Sequence, residues 1–124
     1  MVDKLNKFTM TPDEFVTILK TVVLKSAVDS TKELLRDPPG RSPSEKLKEM
    51  SAWYSKLAPE DRTVVDEIIN ESATSAVFGF LCVLDGVRAI EDGKDKGTLK
   101  LFYEGKDNSI LVNDRTQFGL HELL

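Results

Sequence analysis

The chain has 124 residues, one cysteine and a net charge of −4, with 40% hydrophobic and 31% charged residues. That length fits a single domain over 1–124 with one core, and that composition excludes a disordered chain. The lone Cys82 excludes an intrachain disulfide and fits a reducing, cytoplasmic setting, and no basic stripe stands out for binding nucleic acid.

Residues 1–10 carry charges at Asp3, Lys4 and Lys7 and no apolar centre. They make neither a signal peptide nor an anchor and are expected to form a flexible N-terminal tail. Three helix starts follow, each marked by a proline: Thr11-Pro12-Asp13-Glu14, Ser42-Pro43-Ser44-Glu45 and Ala58-Pro59-Glu60-Asp61. In the first two, a hydroxyl caps an orphan amide, proline takes the first helical position and a glutamate three residues on completes a capping box. The third keeps the proline and places two acids at the positive end of the helix dipole.

The first predicted helix buries Phe15, Ile18, Leu19, Val22 and Val23 and stops at Asp37-Pro38-Pro39-Gly40. The second shows the stripe Leu47, Met50, Tyr54 and Leu57, with Trp53 at its edge. The third keeps helical periodicity from Pro59 through Val65, Ile68, Ser72, Ala76, Val83 and Ile90 to a stop at Gly93, with bends at Gly79 and Gly86. Its uncharged stretch, Val77–Leu84, falls well short of the roughly 20 apolar residues of a membrane span, so no membrane partner is expected.

After Gly97 the period becomes alternating. Leu99, Leu101 and Tyr103 face one way and Lys100, Phe102 and Glu104 the other, Gly105–Asn108 supplies a turn, and Ser109–Asn113 returns. A last helical turn in 114–124 would bury Leu120 and Leu123. The expected fold is α+β and mostly helical: three helices with a C-terminal β-hairpin packed on the third. The second half of that third helix is apolar all round, so it requires cover on both faces. The hairpin is the expected cover for Phe78 and Leu81; the alternative is a homodimer contact through those two residues.

Catalytic signatures are missing. Cys82 lies in the most apolar stretch, and His121, the fourth residue from the end, has no evident orienting partner, so a nucleophile–base pair is not expected. One cysteine and one histidine cannot build a zinc site. The segment Glu91–Gly97 fails a calcium-loop register, because Lys94, Lys96 and Tyr103 stand where oxygen ligands belong. No catalytic residue, cofactor or metal is therefore expected.

Charge is divided unevenly. Up to Ala58 there are ten Lys/Arg against eight acids; from Pro59 onward there are seven against thirteen. On a helical wheel Glu60, Glu67 and Glu71 fall within about 40° of one another, with Asp66 flanking. Beyond the first turn such acids gain little from the helix dipole, and they suit a basic protein partner. The candidate partner-binding residues are therefore Glu60, Asp66, Glu67, Glu71 and Trp53. The competing reading is a small enzyme or ligand-binding domain with a site between hairpin and helices, for instance where Trp53, Phe78 and Tyr103 would converge.

The C-terminal half, through Val77-Phe78-Gly79, Leu84-Asp85-Gly86-Val87, Leu99–Tyr103 and His121-Glu122-Leu123-Leu124, resembles small bacterial proteins of unassigned function, some of them similar to immunity proteins. The resemblance implies a small acidic inhibitor that neutralises a toxin by binding it. It assigns no site residue.

Overall fold

The structure, a computed structural model, describes residues 10–116 and 118–124. Of the expected N-terminal tail only Met10 falls among them, and it packs against the core. The described elements are α1 (Pro12–Leu19), a π-helical stretch (Lys20–Lys25), α2 (Ser26–Arg36), α3 (Glu45–Ser55), α4 (Pro59–Leu84), β1 (Phe102–Glu104), β2 (Ser109–Leu111) and α5 (Leu120–Leu123). The protein is thus mostly helical with one small antiparallel hairpin. The chain divides into two compact units, Met1–Lys20 with Ala76–Leu124, and Thr21–Ser75.

The first unit holds the main core. Val16 of α1, Leu81 of α4, Val112 just after β2 and Leu120 of α5 are each at most 1% exposed. Leu101 and Tyr103 add to this core from the hairpin, as their alternation predicts, whereas Leu99 stays 43% exposed. The hairpin register pairs Phe102 with Leu111, Tyr103 with Ile110 and Glu104 with Ser109, and Val112 N–H extends it by donating to Leu101 O. The cover over Leu81 is therefore built from α1, the hairpin and the C-terminal turn together. Phe78 lies outside that cover at 41% exposure and Phe80 at 61%, so the second half of α4 is enclosed on one side only. Leu81 is fully buried within the chain.

Two helix boundaries differ from the expectation. The α4 helix ends at Leu84, not near Gly93, because Gly86 adopts φ +78° and closes a Schellman motif. Val87 N–H donates to Cys82 O at 3.0 Å and Gly86 N–H to Val83 O at 3.1 Å, which satisfies carbonyls the helix end would orphan. Val87 and Ile90 consequently lie outside any helix and are 60% and 64% exposed. At α3 the cap is Ser44 rather than Ser42: its hydroxyl accepts from Leu47 N–H at 3.2 Å. The α1 capping box forms as expected, with Thr11 and Glu14 exchanging 3.1 Å bonds.

The second unit is built from α2, α3 and the first part of α4. Its buried residues are Val28 and Tyr54. The π-helical stretch adds a residue to the turn and moves the buried face of the first helical run, so Val22 and Val23 turn outward at 62% and 45% exposure while Val28 turns in. In the part of α4 that belongs to this unit the half-buried positions are Arg62, Val65, Asp66, Ile69, Ala73 and Thr74, a three-four spacing. Ile68, expected on the inner side, lies between those positions and is 60% exposed. By length and composition alone α4 is long and apolar enough to cross a membrane. Two glutamates, Glu67 and Glu71, interrupt its apolar character and Leu81 anchors it in the core of the first unit.

Candidate functional site

The outward face of α4 in the second unit brings together part of the predicted set. Glu67 and Glu71 line a shallow groove with Val64, Ile68, Ser72 and Ser75. The two apolar members are 51% and 60% exposed, so a pair of β-branched side chains stands in water beside two carboxylates. Glu60 is exposed one turn before the groove and does not line it. Trp53, 57% exposed on α3, is a separate exposed side chain and is not a groove residue either. It lies in the second unit, whereas Phe78 and Tyr103 belong to the first.

Asp66 has a different task. Its Oδ1 accepts from the Tyr54 hydroxyl at 2.9 Å, and its Oδ2 lies 3.9 Å from Arg36. Burial, followed by this bond to a carboxylate, pushes the Tyr54 phenol above its ordinary value. Asp66 thus serves to tie α4 to α3 through the buried Tyr54, and to α2 through Arg36. Its side chain is directed inward, away from the groove.

The first unit contains a polar cluster that sequence reasoning missed. Asp85, at the end of the apolar run, is 1% exposed. Its Oδ2 accepts both His121 N–H at 2.8 Å and His121 Nδ1 at 2.6 Å. Since a carboxylate can only accept, the imidazole proton sits on Nδ1. Asp85 thereby caps α5, a task that Gly119 at the cap position has no side chain to perform. Burial pushes the Asp85 carboxyl up, but the hydrogen bonds from the His121 side chain and backbone, with the nearby Leu120 backbone N–H, outweigh it, and it lies below the ordinary carboxylate range. Phe78 packs edge-on against the imidazole, with centroids 5.7 Å apart.

Asn113, 6% exposed, completes the cluster. Its Oδ1 accepts from Leu101 N–H, and its Nδ2 donates to Leu84 O and Leu99 O, all between 2.8 and 2.9 Å. One amide therefore takes up the last carbonyl of α4 and fixes the approach to β1. An Asp–His pair of this kind is how a general base is oriented, but among the described residues no hydroxyl or thiol hydrogen-bonds to His121. Cys82 is buried and makes no bond to the imidazole. The arrangement holds the C-terminal turn in place. Among the described residues there is also no cluster of His, Cys, Asp and Glu able to hold a metal.

The signal for Asp85 lay in its position. A single acid directly after the eight residues Val77–Leu84, none of them charged or strongly polar, and followed by glycine, must be either solvated at a helix end or paired in the core. Comparison with the models of known families, with curated proteins and with solved structures returned no match.

Proposed function

We propose that this protein acts by binding another protein, and that the partner is basic and docks on the outward face of α4. The observation that carries the reading is the groove in which Val64 and Ile68 stand exposed with Glu67 and Glu71 beside them. Protein interfaces place desolvated apolar anchors at their centre and charge at the rim, and the rim charge selects partners and speeds encounter. A basic segment presenting one apolar side chain has the matching chemistry. An immunity-type inhibitor, in which the partner is a toxin, is one form of this function, and the resemblance of the C-terminal half supports it. Glu60 extends the acidic rim towards the start of α4, and Trp53 offers an aromatic contact on α3.

The test places a photo-crosslinking amino acid at Ile68 and, separately, at the exposed Lys46 of α3 as a control. In the native host, irradiation is expected to trap one basic protein at position 68 and not at position 46. Equal trapping at both positions, or trapping only at 46, would refute docking on this face.

A further inference from the structure

A cavity of about 620 Å³ in the first unit is bounded by the end of α4 and the segment after it, by residues 96–100 and by residues around Asn113 and Arg115. Its lining mixes two kinds of side chain. Val87, Ile90 and Leu99 contribute apolar surface that is 60%, 64% and 43% exposed. Arg88, Lys96, Lys100 and Arg115 contribute four cations, and among the described residues none of their side chains makes a hydrogen bond or an ion pair. Each acid of the lining has a hydrogen-bond partner of its own: Asp85 Oδ2 in His121, its Oδ1 being buried without one, Glu91 in the Gly97 N–H at 2.7 Å and Asp114 in the Thr116 N–H at 3.2 Å. In a chain of net charge −4, a lining of four cations against three carboxylates, with no cation paired to an acid, has the sign opposite to that of the molecule around it.

Two of those cations are positioned by glycine. The Arg88 guanidinium lies against Gly79 and that of Arg115 against Gly86, in space that any β-carbon would occupy. The negative pole at the end of α4 accounts for a cation over Gly86. It accounts neither for the unpaired lysines 96 and 100 nor for the exposed apolar residues of the same lining. Cavities of this size hold small organic molecules, with a few polar groups fixing orientation and apolar walls giving affinity.

We propose that this cavity binds a small organic anion: an apolar body that covers Val87, Ile90 and Leu99, carrying a carboxylate or phosphate that pairs with Arg88 and Arg115, with Lys96 and Lys100 adding charge at the mouth. Guanidinium forks match both head groups. The site lies in the first unit and does not depend on docking at the α4 groove.

The test is an NMR titration of the full chain with phenylacetate and phenyl phosphate, with benzyl alcohol as the uncharged analogue and inorganic phosphate as the anion without an apolar body. At least one organic anion should bind ten-fold or more tighter than both controls. Its amide shifts should centre on Val87–Ile90, Thr98–Lys100 and Asp114–Arg115, and the tighter of the two anions identifies the head group. The Arg88→Gln/Arg115→Gln variant should lose at least ten-fold in affinity. Lys96→Gln/Lys100→Gln, at exposed positions where folding is not at stake, should lose about three-fold. Benzyl alcohol binding as well as the anions, shifts centred elsewhere, or wild-type affinity in both variants would overturn the proposal.

Discussion

Replacing Asp85 by alanine isolates the contact on which the C-terminal turn depends. The carboxylate accepts two hydrogen bonds, at 2.6 and 2.8 Å, both from His121, and is 1% exposed. Hydrogen bonds to a charged group contribute about 1.5–3 kcal/mol each, and the burial cost of the carboxylate offsets part of the pair, so the substitution should destabilise by about 3 kcal/mol at neutral pH. For a chain of this length that is a fall of about 10 °C in Tm. The penalty should depend on pH in a definite sense. An unfolded aspartate titrates near about pH 3.9, and the folded one lies lower, so the native state binds fewer protons through this window. The stabilisation is complete above that pH and is lost as pH falls through the folded value, so the wild-type and variant curves should converge below about pH 4. Trp53 reports on the other unit, so the assay is amide hydrogen exchange at Leu81 and His121 across a pH series, beside urea unfolding followed by circular dichroism. A penalty under about 0.5 kcal/mol at pH 7, or one of the same size at pH 3.5, would refute the reasoning.

Leu81→Ala should cost about 3–4 kcal/mol in urea unfolding, because the side chain is wholly enclosed by Val16, Val112 and Leu120, whereas Phe80→Ala, at 61% exposure, should cost under about 1 kcal/mol. Gly86→Ala should lose about 1–2 kcal/mol, measured the same way, since φ +78° disfavours an L-residue and the new β-carbon would stand 2.8 Å from an Arg115 guanidinium nitrogen. Cys82, 6% exposed, should react with a thiol reagent many-fold more slowly in the native protein than in urea, and fast native labelling would contradict its burial.

Local features were legible in the sequence, and long-range ones were not. The Thr11–Glu14 capping box, the start of α4 at Pro59 and the alternation of Leu101, Phe102 and Tyr103 each depend on residues within one turn or one strand. The Asp85–His121 pair spans 36 positions and the Asn113 bond to Leu84 spans 29, distances over which periodicity carries no information. The end of α4 is an intermediate case. Gly86 follows the apolar run directly and supplies the left-handed residue of a Schellman motif, but Ile90 continued the helical period and drew the expected stop on to Gly93. The face of α4 was misjudged for a similar reason: Val65 and Ile68 are three apart and read as one stripe, while the buried row runs through Val65, Asp66 and Ile69, with Asp66 tolerated there because Tyr54 and Arg36 engage it. In the candidate groove, the acids Glu67 and Glu71 were legible from the wheel. Their apolar neighbours Val64 and Ile68 were not, since exposure of a branched side chain shows only once its packing is known.

The most direct test of docking on α4 is the association rate of the crosslinked partner, measured at low and high salt with the wild type, with Glu67→Gln/Glu71→Gln and with Ile68→Ser. Electrostatic steering should make the wild-type rate fall as the Debye length shrinks below about 10 Å. The double glutamine variant should associate more slowly at low salt and show a weaker salt dependence, and Ile68→Ser should dissociate at least ten-fold faster with folding intact. A partner that binds both variants with wild-type association and dissociation rates at every salt concentration would show that Val64, Glu67, Ile68 and Glu71 form no part of the interface.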